Sequence, residues 1–476
     1  MSLYLKFYNL CIILLICFLT NISVNAEEHL DMTRCIEIGL SNAYSIKKQE
    51  NDLLQYKSKI KSSYGALLPV IDIGFTYYPY SKSNQQFVDM PQINSPSPPR
   101  YSNSNAQLIG RNANVYMQGT LNVFDGLSNI YRIESSIERS NAAKHLLNRE
   151  KEKVAYDITK LYYQLMLDQE LRTIADENLN LSLKNLEKIL VKVSIGDLSI
   201  SDQYQQETKV SEYKLVCIER NNAVEIDRIN ILNKIGYSDI QEPVQFEKID
   251  LPVFSNIVML DRDELVRMAI TNRSDYRGKK YLIDSNKKNI NIARSKLFPK
   301  VNMLFQFGSS ATEAISYSLN NKVYDMSRQP NIFNSLFNTT DVLYGLELKW
   351  NIFDGLSTSA DIQKSKIDYL NSLIEYQELK NSIITEIYLL DSEYRSSIEK
   401  IKAADSGLIS ATHAYLNISE RYSLGFAGFT DLAEANAMLV KAKSEKVQSL
   451  YNMDFLIKVI SYYTGSYDTP YFNSNK

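Results

Sequence analysis

The sequence is poor in the residues that build disulfide scaffolds and metal centres. Its 476 residues include four cysteines and three histidines. Only Cys35 and Cys217 lie outside the first 26 residues, and a disulfide framework would need many more cysteines. His29, His145 and His413 are far apart and lack partners at the spacing of a metal site. We therefore predict no disulfide scaffold, no metal and no cofactor.

An excess of charge of one sign is also missing. The 53 basic and 55 acidic residues give a formal net charge of −2. A nucleic-acid-binding protein would show a strongly basic face, so no nucleic-acid partner is expected. The sequence also lacks a glycine-rich phosphate loop and a nucleophile elbow. Nothing in these patterns supports an enzyme.

Long apolar runs are absent apart from one near the start. Leu10–Leu19 is apolar, Lys6 is the only charge before it, and Val24-Asn25-Ala26 resembles a cleavage site. This pattern predicts a signal peptide at 1–26 and export of the mature chain. The alternative is an uncleaved anchor, but about ten apolar residues are too few to span a bilayer. An exported chain can still enter a membrane as a closed β-barrel, whose strands give only a weak alternating signal.

The most informative pattern that is present is an internal duplication. The stretch NVFDGLS at 122–128 returns as NIFDGLS at 351–357, and the turn glycines Gly196 and Gly425 keep the same offset of 229 residues. This period is far longer than that of a solenoid repeat. We therefore predict one domain, 27–476, made of two repeats. Its parts are repeat one at 31–237, a linker at 238–260, repeat two at 261–466 and a tail at 467–476.

Both repeats predict the same order of elements: a helix, two strands separated by a polar loop, a long helix, a turn and a last helix. Stretches that alternate apolar and polar residues predict the strands, and stretches without Pro or Gly predict the long helices. Such long helices are typical of coiled coils. In repeat one the helices are predicted at 31–67, 127–193 and 199–235, and the strands at 70–78 and 114–124. In repeat two the helices are predicted at 261–297, 356–424 and up to 464, and the strands at 301–308 and 343–353.

The four predicted strands each have one apolar and one polar face. Lipid does not tolerate unpaired strand edges, so four strands can enter a membrane only if several chains share one barrel. Eight strands would fill their own interior, whereas twelve strands from three chains would leave a passage. The alternative at this point is a soluble sheet that caps a helical bundle.

Several motifs in the same order resemble the TolC-type outer-membrane efflux proteins. They are the double repeat, the Leu68-Pro69 strand start, the WNIFDG run at 350–355 and the LGFAGFTDL turn at 424–432. The resemblance covers about residues 31–465. It implies an α+β membrane protein: a homotrimer with a 12-stranded outer-membrane β-barrel, four strands per chain, and a long α-helical coiled-coil tunnel in the periplasm. It also implies a transport function in efflux or type I secretion, with a periplasmic adaptor and an inner-membrane transporter as partners.

The same resemblance assigns roles to residues at the two helical turns. It implies that Asp431 and Glu434 form an acidic pore constriction that favours cations. Three further residues are implied to hold the tip closed: Ser201, Asp202 and Tyr422. The turn residues implied to contact the adaptor are Gly196, Gly425 and Thr430. With the barrel in the outer membrane and the helices in the periplasm, the loops at 80–113 and 309–341 are expected to face the cell exterior.

Local helix chemistry offers an alternative for the acidic residues. Asp431 with Glu434, and Asp202 with Gln205, both match the spacing of a capping box at a helix start. Capping and a pore role are compatible. Gly196 and Gly425 are in addition expected to supply a positive φ at the turns.

Two functions from different classes follow. The first is a trimeric outer-membrane duct that exports small molecules or proteins. The second is a periplasmic coiled-coil adaptor or scaffold without a barrel. Adaptors typically carry a single helical hairpin, whereas this chain predicts two hairpins with amphipathic strands before each.

Overall fold

The computed structural model describes residues 28–88, 103–237, 244–251, 261–325 and 331–466. The predicted signal peptide at 1–26 and the tail at 467–476 lie outside the described residues. Most of the predicted linker, at 238–243 and 252–260, also lies outside them. Within the described residues, no helix has both the length and the apolar character needed to cross a membrane.

The first repeat folds in the predicted order. Its elements are α1 (Met32–Asn42), α2 (Tyr44–Gly65), β2 (Val70–Val88), β3 (Asn103–Phe124), α3 (Ser128–Ser194) and α4 (Ile200–Ile235). A short strand before it, β1 (Glu28–Leu30), pairs in parallel with β4 (Val244–Phe246).

The second repeat follows the same plan with two added elements. Its elements are α5 (Arg262–Asn272), α6 (Ser274–Ser295), β5 (Lys300–Leu319), β6 (Lys322–Asp325), α7 (Ile332–Asn338), β7 (Asp341–Lys349), α8 (Ser357–Ser423) and α9 (Phe429–Thr464). Matching helices have identical lengths of 11, 22, 67 and 36 residues in the two repeats. The internal duplication is therefore confirmed.

The single helix predicted at the start of each repeat is wrong, because each is broken into two. The breaks lie at Ala43 and Arg273, where ψ is 124° in both cases and leaves the helical range. Gly236 and Gly465, which follow α4 and α9, pack against these breaks. A Cβ at Gly465 would lie 2.8 Å from the Arg273 backbone nitrogen. Each break thus lies where the end of α4 or α9 packs. The apolar periodicity of the sequence gives no sign of this packing.

Three of the four strands are longer than predicted. β2 continues to Val88, β3 begins at Asn103 and β5 continues to Leu319. Strand residues therefore occupy much of the polar stretches predicted as loops at 80–113 and 309–341, and α7 lies in the second stretch. The prediction ended each strand where apolar alternation stopped. Polar residues extend the strands because the hydrogen-bond ladder satisfies their backbone, whatever their side chains are. Residues 89–102 and 326–330 of these stretches lie outside the described residues.

The four long strands form one antiparallel sheet in the order β2-β3-β5-β7. One row across it runs Ile73, Met117, Phe307 and Val342. The short strand β6 pairs with the last residues of β5. Strands β2 and β7 therefore form the two lateral edges of the sheet.

The described residues pack into two compact units, each assembled from both repeats. The sheet unit contains residues 53–143 and 278–376, and the helical unit contains the rest. In the helical unit, the buried Tyr162 hydroxyl lies 3.1 Å from the Leu30 carbonyl oxygen and 2.6 Å from that of Glu247, and it shares its single proton between them. This tyrosine ties the β1–β4 pair to helix α3.

Candidate channel surfaces and helical turns

One face of the sheet is a continuous apolar surface. Side chains of alternate residues point to the same face of a strand, and the pairing register aligns these residues across all four strands. Most of them are exposed, for example Ile73 by 79 %, Tyr344 by 77 % and Leu346 by 74 %. We call this surface the apolar face; its central members are Ile71, Ile73, Phe75, Val115, Met117, Leu121, Met303, Phe305, Phe307, Val342, Tyr344, Leu346 and Leu348.

The opposite face of the sheet is polar along the same part of the strands. The Asn122 amide donates to Asn302 Oδ1 at 3.0 Å, and the Asn302 amide donates to a Glu347 carboxylate oxygen at 3.2 Å. This chain of side-chain hydrogen bonds crosses three strands. A sheet with one polar and one apolar face is suited to separate water from lipid.

The outer edges of β2 and β7 carry no strand partner among the described residues. All nine residues of β7 are exposed. An open edge presents unpaired N–H and C=O groups, which are not tolerated in a hydrocarbon environment. In a single chain the edges of β2 and β7 therefore stay unpaired, and the sheet cannot lie in lipid without partner strands.

Each of the two long helices ends in the same kind of turn. Gly196 and Gly425 have φ of +82° and +80°. The N–H of Asp197 donates to the carbonyl of Lys192, and that of Phe426 donates to the carbonyl of Arg421, each at 2.8 Å. Each glycine N–H also donates to the carbonyl three residues before it, of Val193 or Tyr422, at 3.1 Å. The two bonds together make each turn a Schellman motif. The sequence expectation of a positive φ at both glycines is confirmed.

The predicted capping boxes are out of register by three residues. The cap of α4 is Ser199, whose N–H donates to the Asp202 carboxylate while its Oγ accepts from the Asp202 N–H, both at 3.2 Å. In α9 the Asp431 carboxylate accepts from the Gly428 N–H at 3.0 Å. Asp202 and Asp431 are thus the third helical residues rather than the caps. In α4 the spacing rule fits both Ser199 with Asp202 and Asp202 with Gln205, and the structure uses the earlier pair. In α9 the first residue of the pair is Gly428, which has no side chain, so only the bond from its N–H to Asp431 forms.

The structure brings two of the three expected tip-closure residues together. Tyr422 lies near enough to Asp202 for its pKa to be raised, mainly by burial and then by that carboxylate. The Tyr422 hydroxyl is buried and finds no hydrogen-bond partner in the part of the chain that the structure describes. Ser201 is exposed and accepts a hydrogen bond from the Gln205 amide at 3.3 Å. The Asp202 charge therefore acts on Tyr422, but no hydrogen bond joins these two residues among the described ones.

The expected constriction residues lie at the start of α9. Asp431 and Glu434 are both exposed, three residues apart, and Thr430 beside them is exposed as well. Leu424 and Phe426 of the preceding turn are 65 % and 72 % exposed. These positions place two carboxylates and an apolar tip in contact with solvent, where either could meet another chain.

The helical unit also contains polar contacts that sequence reasoning missed. The Asn436 amide donates to Asn178 Oδ1 at 2.8 Å and to the Tyr213 hydroxyl at 3.3 Å, which joins the helical hairpins of the two repeats. Asp168 and Asp227 form a carboxyl pair inside the first hairpin. The residues of these contacts are far apart in the sequence, so no local pattern predicts that they meet. The contacts become visible only when the helices are packed together.

An amphipathic sheet with two open edges, in one chain with two long helical hairpins, is the arrangement that a membrane barrel shared by several chains would require. Residues 265–454 match the family described as outer membrane efflux protein. The resemblance inferred from the motifs is therefore confirmed. Proteins of this family are outer-membrane channels and not enzymes, in agreement with the predicted location and class.

Solved structures show the same fold across the chain. VceC, an outer membrane protein of Vibrio cholerae, has a TM-score of 0.69 at 14% identity, and the match covers 92% of this chain and 97% of VceC. The Campylobacter jejuni outer membrane channel CmeC scores 0.70 at 14% identity, with coverages of 92% and 86%. The open state of the Neisseria gonorrhoeae channel MtrE scores 0.65 at 15% identity, with coverages of 92% and 89%. No curated protein matches the sequence.

Proposed function

We propose that three copies of this chain form one twelve-stranded barrel in the outer membrane and act as an export duct. The β2 edge of each copy pairs with the β7 edge of the next. The observation that carries this proposal is the apolar face, which is continuous over four strands and ends at two open edges. Only partner strands can satisfy those edges in lipid.

Three is the number of copies that the strand count favours. Two copies would give eight strands, which close around a side-chain-filled interior. Three copies give twelve strands and leave space for a passage lined by the polar face, including Asn122, Asn302 and Glu347. The resemblance to the efflux family implies the same number. The helices lie in the periplasm in this arrangement.

The duct takes small molecules or proteins from an inner-membrane transporter through a periplasmic adaptor. The exposed turns around Gly196, Gly425 and Thr430 are the contact surface for the adaptor. Their apolar residues Ile195 and Phe426 are 73% and 72% exposed, which supports this role because exposed apolar side chains at a tip favour a protein partner.

The entrance of the duct is closed at the same turns. Contact between Tyr422 and Asp202, with Ser201 beside them, holds the two hairpins together, and opening separates them. Six carboxylates from Asp431 and Glu434 of three chains surround the entrance. Like charges around a narrow mouth raise the local cation concentration, so the closed duct favours cations.

Cross-linking between the strand edges tests the barrel. Val70 begins β2 and Lys349 ends β7, so antiparallel closure brings these two ends to the same rim of the barrel. The experiment combines Val70→Cys with Lys349→Cys in a background where Cys35 and Cys217 are serine. A bis-maleimide added to membranes should produce covalent dimers and trimers on denaturing gels.

Each single-cysteine variant is the matched control, and it should remain a monomer because two identical edges do not meet. Monomers alone from the double variant, together with a monomer mass in mild detergent, would exclude the shared barrel.

The alternative of a periplasmic adaptor without a barrel is less consistent with the structure. In an adaptor without a barrel, the apolar face would leave Ile73, Tyr344 and Leu346 in contact with water, which is unfavourable. Fractionation separates the two functions. The duct stays in the outer-membrane fraction after a carbonate wash, whereas an adaptor without a barrel is released.

A further inference from the structure

A short helix lies on the apolar face of the sheet. Helix α7 buries Ile332 and Leu336 against Ala113 of β3 and Ala311 of β5, with Val115 packed beside them. The two alanines pair across the strands and belong to the same face as Met117 and Phe307. Small side chains at this level leave room for the helix. The sequence had predicted only a polar loop here.

The exposed sides of α7 differ sharply in character. Phe333 is 45% exposed and Phe337 is 85% exposed, and one turn separates them on the same flank. The Phe333 ring stacks on Tyr77 of β2 with 5.9 Å between centroids. The flank that points away carries Asn334, Ser335 and Asn338. No charged residue occurs from Asn331 to Thr340.

Between the phenylalanine flank and the strands lies an apolar groove of about 430 Å³. Its walls include Ile73, Met117, Phe307, Leu336 and Phe337. The first three belong to the apolar face below the helix, so the groove continues that face. At the other end the Ser309 hydroxyl bonds to the Leu336 carbonyl, and Thr339 bonds to the Ser310 carbonyl at 3.1 Å.

The helix marks the boundary at which the apolar face ends. One step along the register beyond Ala113 and Ala311, Arg111 and Glu313 lie opposite each other with 3.6 Å between their charged groups. From Val301 to Ala311 a strand rises roughly 33 Å, which a tilted strand reduces to about the 25 Å height of an apolar barrel band. A charged pair on that face is inexpensive only near the headgroups.

We propose that α7 is an interfacial helix of the outer leaflet, and that its groove holds a lipid acyl chain. Phe333 and Phe337 point toward the hydrocarbon while the Asn334 side meets the polar headgroups. An apolar flank that carries phenylalanine and an opposite polar flank are features of a helix that lies in the membrane interface. The inference rests on the proposed function in one respect: the apolar face must contact lipid.

Tryptophan fluorescence in proteoliposomes of phosphatidylcholine tests the depth of the helix. Trp350 is the only tryptophan of the chain, so a Trp350→Phe background is free of the native signal. Three variants of the full-length protein are compared in that background: Phe337→Trp, Asn334→Trp on the same helix, and Tyr344→Trp on the apolar face of β7. Each is reconstituted with lipid brominated either near the headgroup or deep in the acyl chain.

The expected result is a large loss of fluorescence for Phe337→Trp with the shallow bromines, a smaller loss with the deep bromines, and little loss for Asn334→Trp. Tyr344→Trp should be quenched as a lipid-facing strand position. Quenching of Tyr344→Trp without excess quenching of Phe337→Trp over Asn334→Trp would overturn the interfacial helix alone. Absence of quenching at both Tyr344→Trp and Phe337→Trp would overturn the lipid-facing sheet, and this inference with it.

Discussion

At the residue scale, the carboxyl pair of Asp168 and Asp227 is an unusual feature of the first hairpin. Asp168 accepts from the Gln164 amide at 2.7 Å and contacts Arg220 at 3.4 Å. Burial and the neighbouring Asp168 raise the pKa of Asp227 to about 7. We expect the two carboxyl groups to share a proton, because the buried Asp227 oxygen has no other donor among the described residues.

Stability should therefore depend on pH around this pair. The folded pKa of Asp227 exceeds its unfolded value, so the stabilising protonated pair is present at low pH and lost as pH rises through about 7. Asp227→Asn supplies a donor at every pH. We expect the variant to exceed the wild type by about 1 kcal/mol above neutrality, since water screens part of the effect, and to match it near pH 4.

Urea midpoints followed by circular dichroism from pH 4 to 8 measure this difference. The exposed Asp250→Asn is the matched control and should show none. A difference for Asp227→Asn that does not change with pH would contradict the shared proton.

The acidic residues at the start of α9 support a second prediction. Asp431→Asn with Glu434→Gln keeps size and hydrogen-bonding capacity but removes six charges from a trimer. Cation preference and cation block in planar-bilayer recordings should fall, because like charges at a narrow mouth attract cations. Asp431→Ala would also remove the bond from the Gly428 N–H and cost about 1 kcal/mol. Unchanged selectivity of the folded double variant would leave Asp431 with a local role only, as the acceptor for the Gly428 N–H at the helix start.

At the element scale, the ends of α4 and α9 pack against the points where the first helices of each repeat are broken. Gly236 and Gly465 have φ of +67° and +70°. A Cβ at Gly465 would lie within 3 Å of the Arg273 backbone, which no rotamer change can relieve. Arg273 is nearly buried there and forms ion pairs with Asp275 at 2.8 Å and Glu386 at 2.6 Å. The end of α9 and the ion pairs of Arg273 therefore both depend on the close approach of Gly465 to the Arg273 backbone.

Two glycine substitutions should have opposite effects for this reason. Gly465→Ala combines a left-handed backbone with a backbone contact, and it should destabilise the fold by about 2 kcal/mol or more. Gly407 lies exposed inside α8, and its Cβ would meet nothing within 4 Å. Gly407→Ala should stabilise the fold by about 0.5–1 kcal/mol through helix propensity. Thermal melting of both variants checks the pair, and equal melting temperatures would refute the packing argument.

At the scale of the whole molecule, the two stretches first predicted as external loops yield a test of orientation. Residues 89–102 connect β2 with β3, and residues 326–330 follow β6. If the barrel spans the outer membrane with its helices in the periplasm, epitopes inserted in these two segments face the medium. Antibody should label intact cells at both sites. An epitope in the turn at Gly425 is the control and should be labelled only after the outer membrane is opened; the reverse pattern would invert the orientation.

The sequence by itself determined the elements with strong local rules. The long helices Ser128–Ser194 and Ser357–Ser423 were predicted to within one residue, because neither contains proline and a glycine turn follows each. The turn glycines Gly196 and Gly425 were recognised for the same reason. The duplication and the family resemblance followed from motifs that keep their spacing.

Tertiary structure decided what depends on neighbours that are distant in sequence. Only the ladder shows that the polar residues up to Val88 and Leu319 are strand, because backbone pairing does not need apolar side chains. Only packing breaks the first helices at Ala43 and Arg273 and places α7 on the alanines of the apolar face. The edges of β2 and β7 also emerge only from the strand order, since which strands remain unpaired is a property of the assembled sheet.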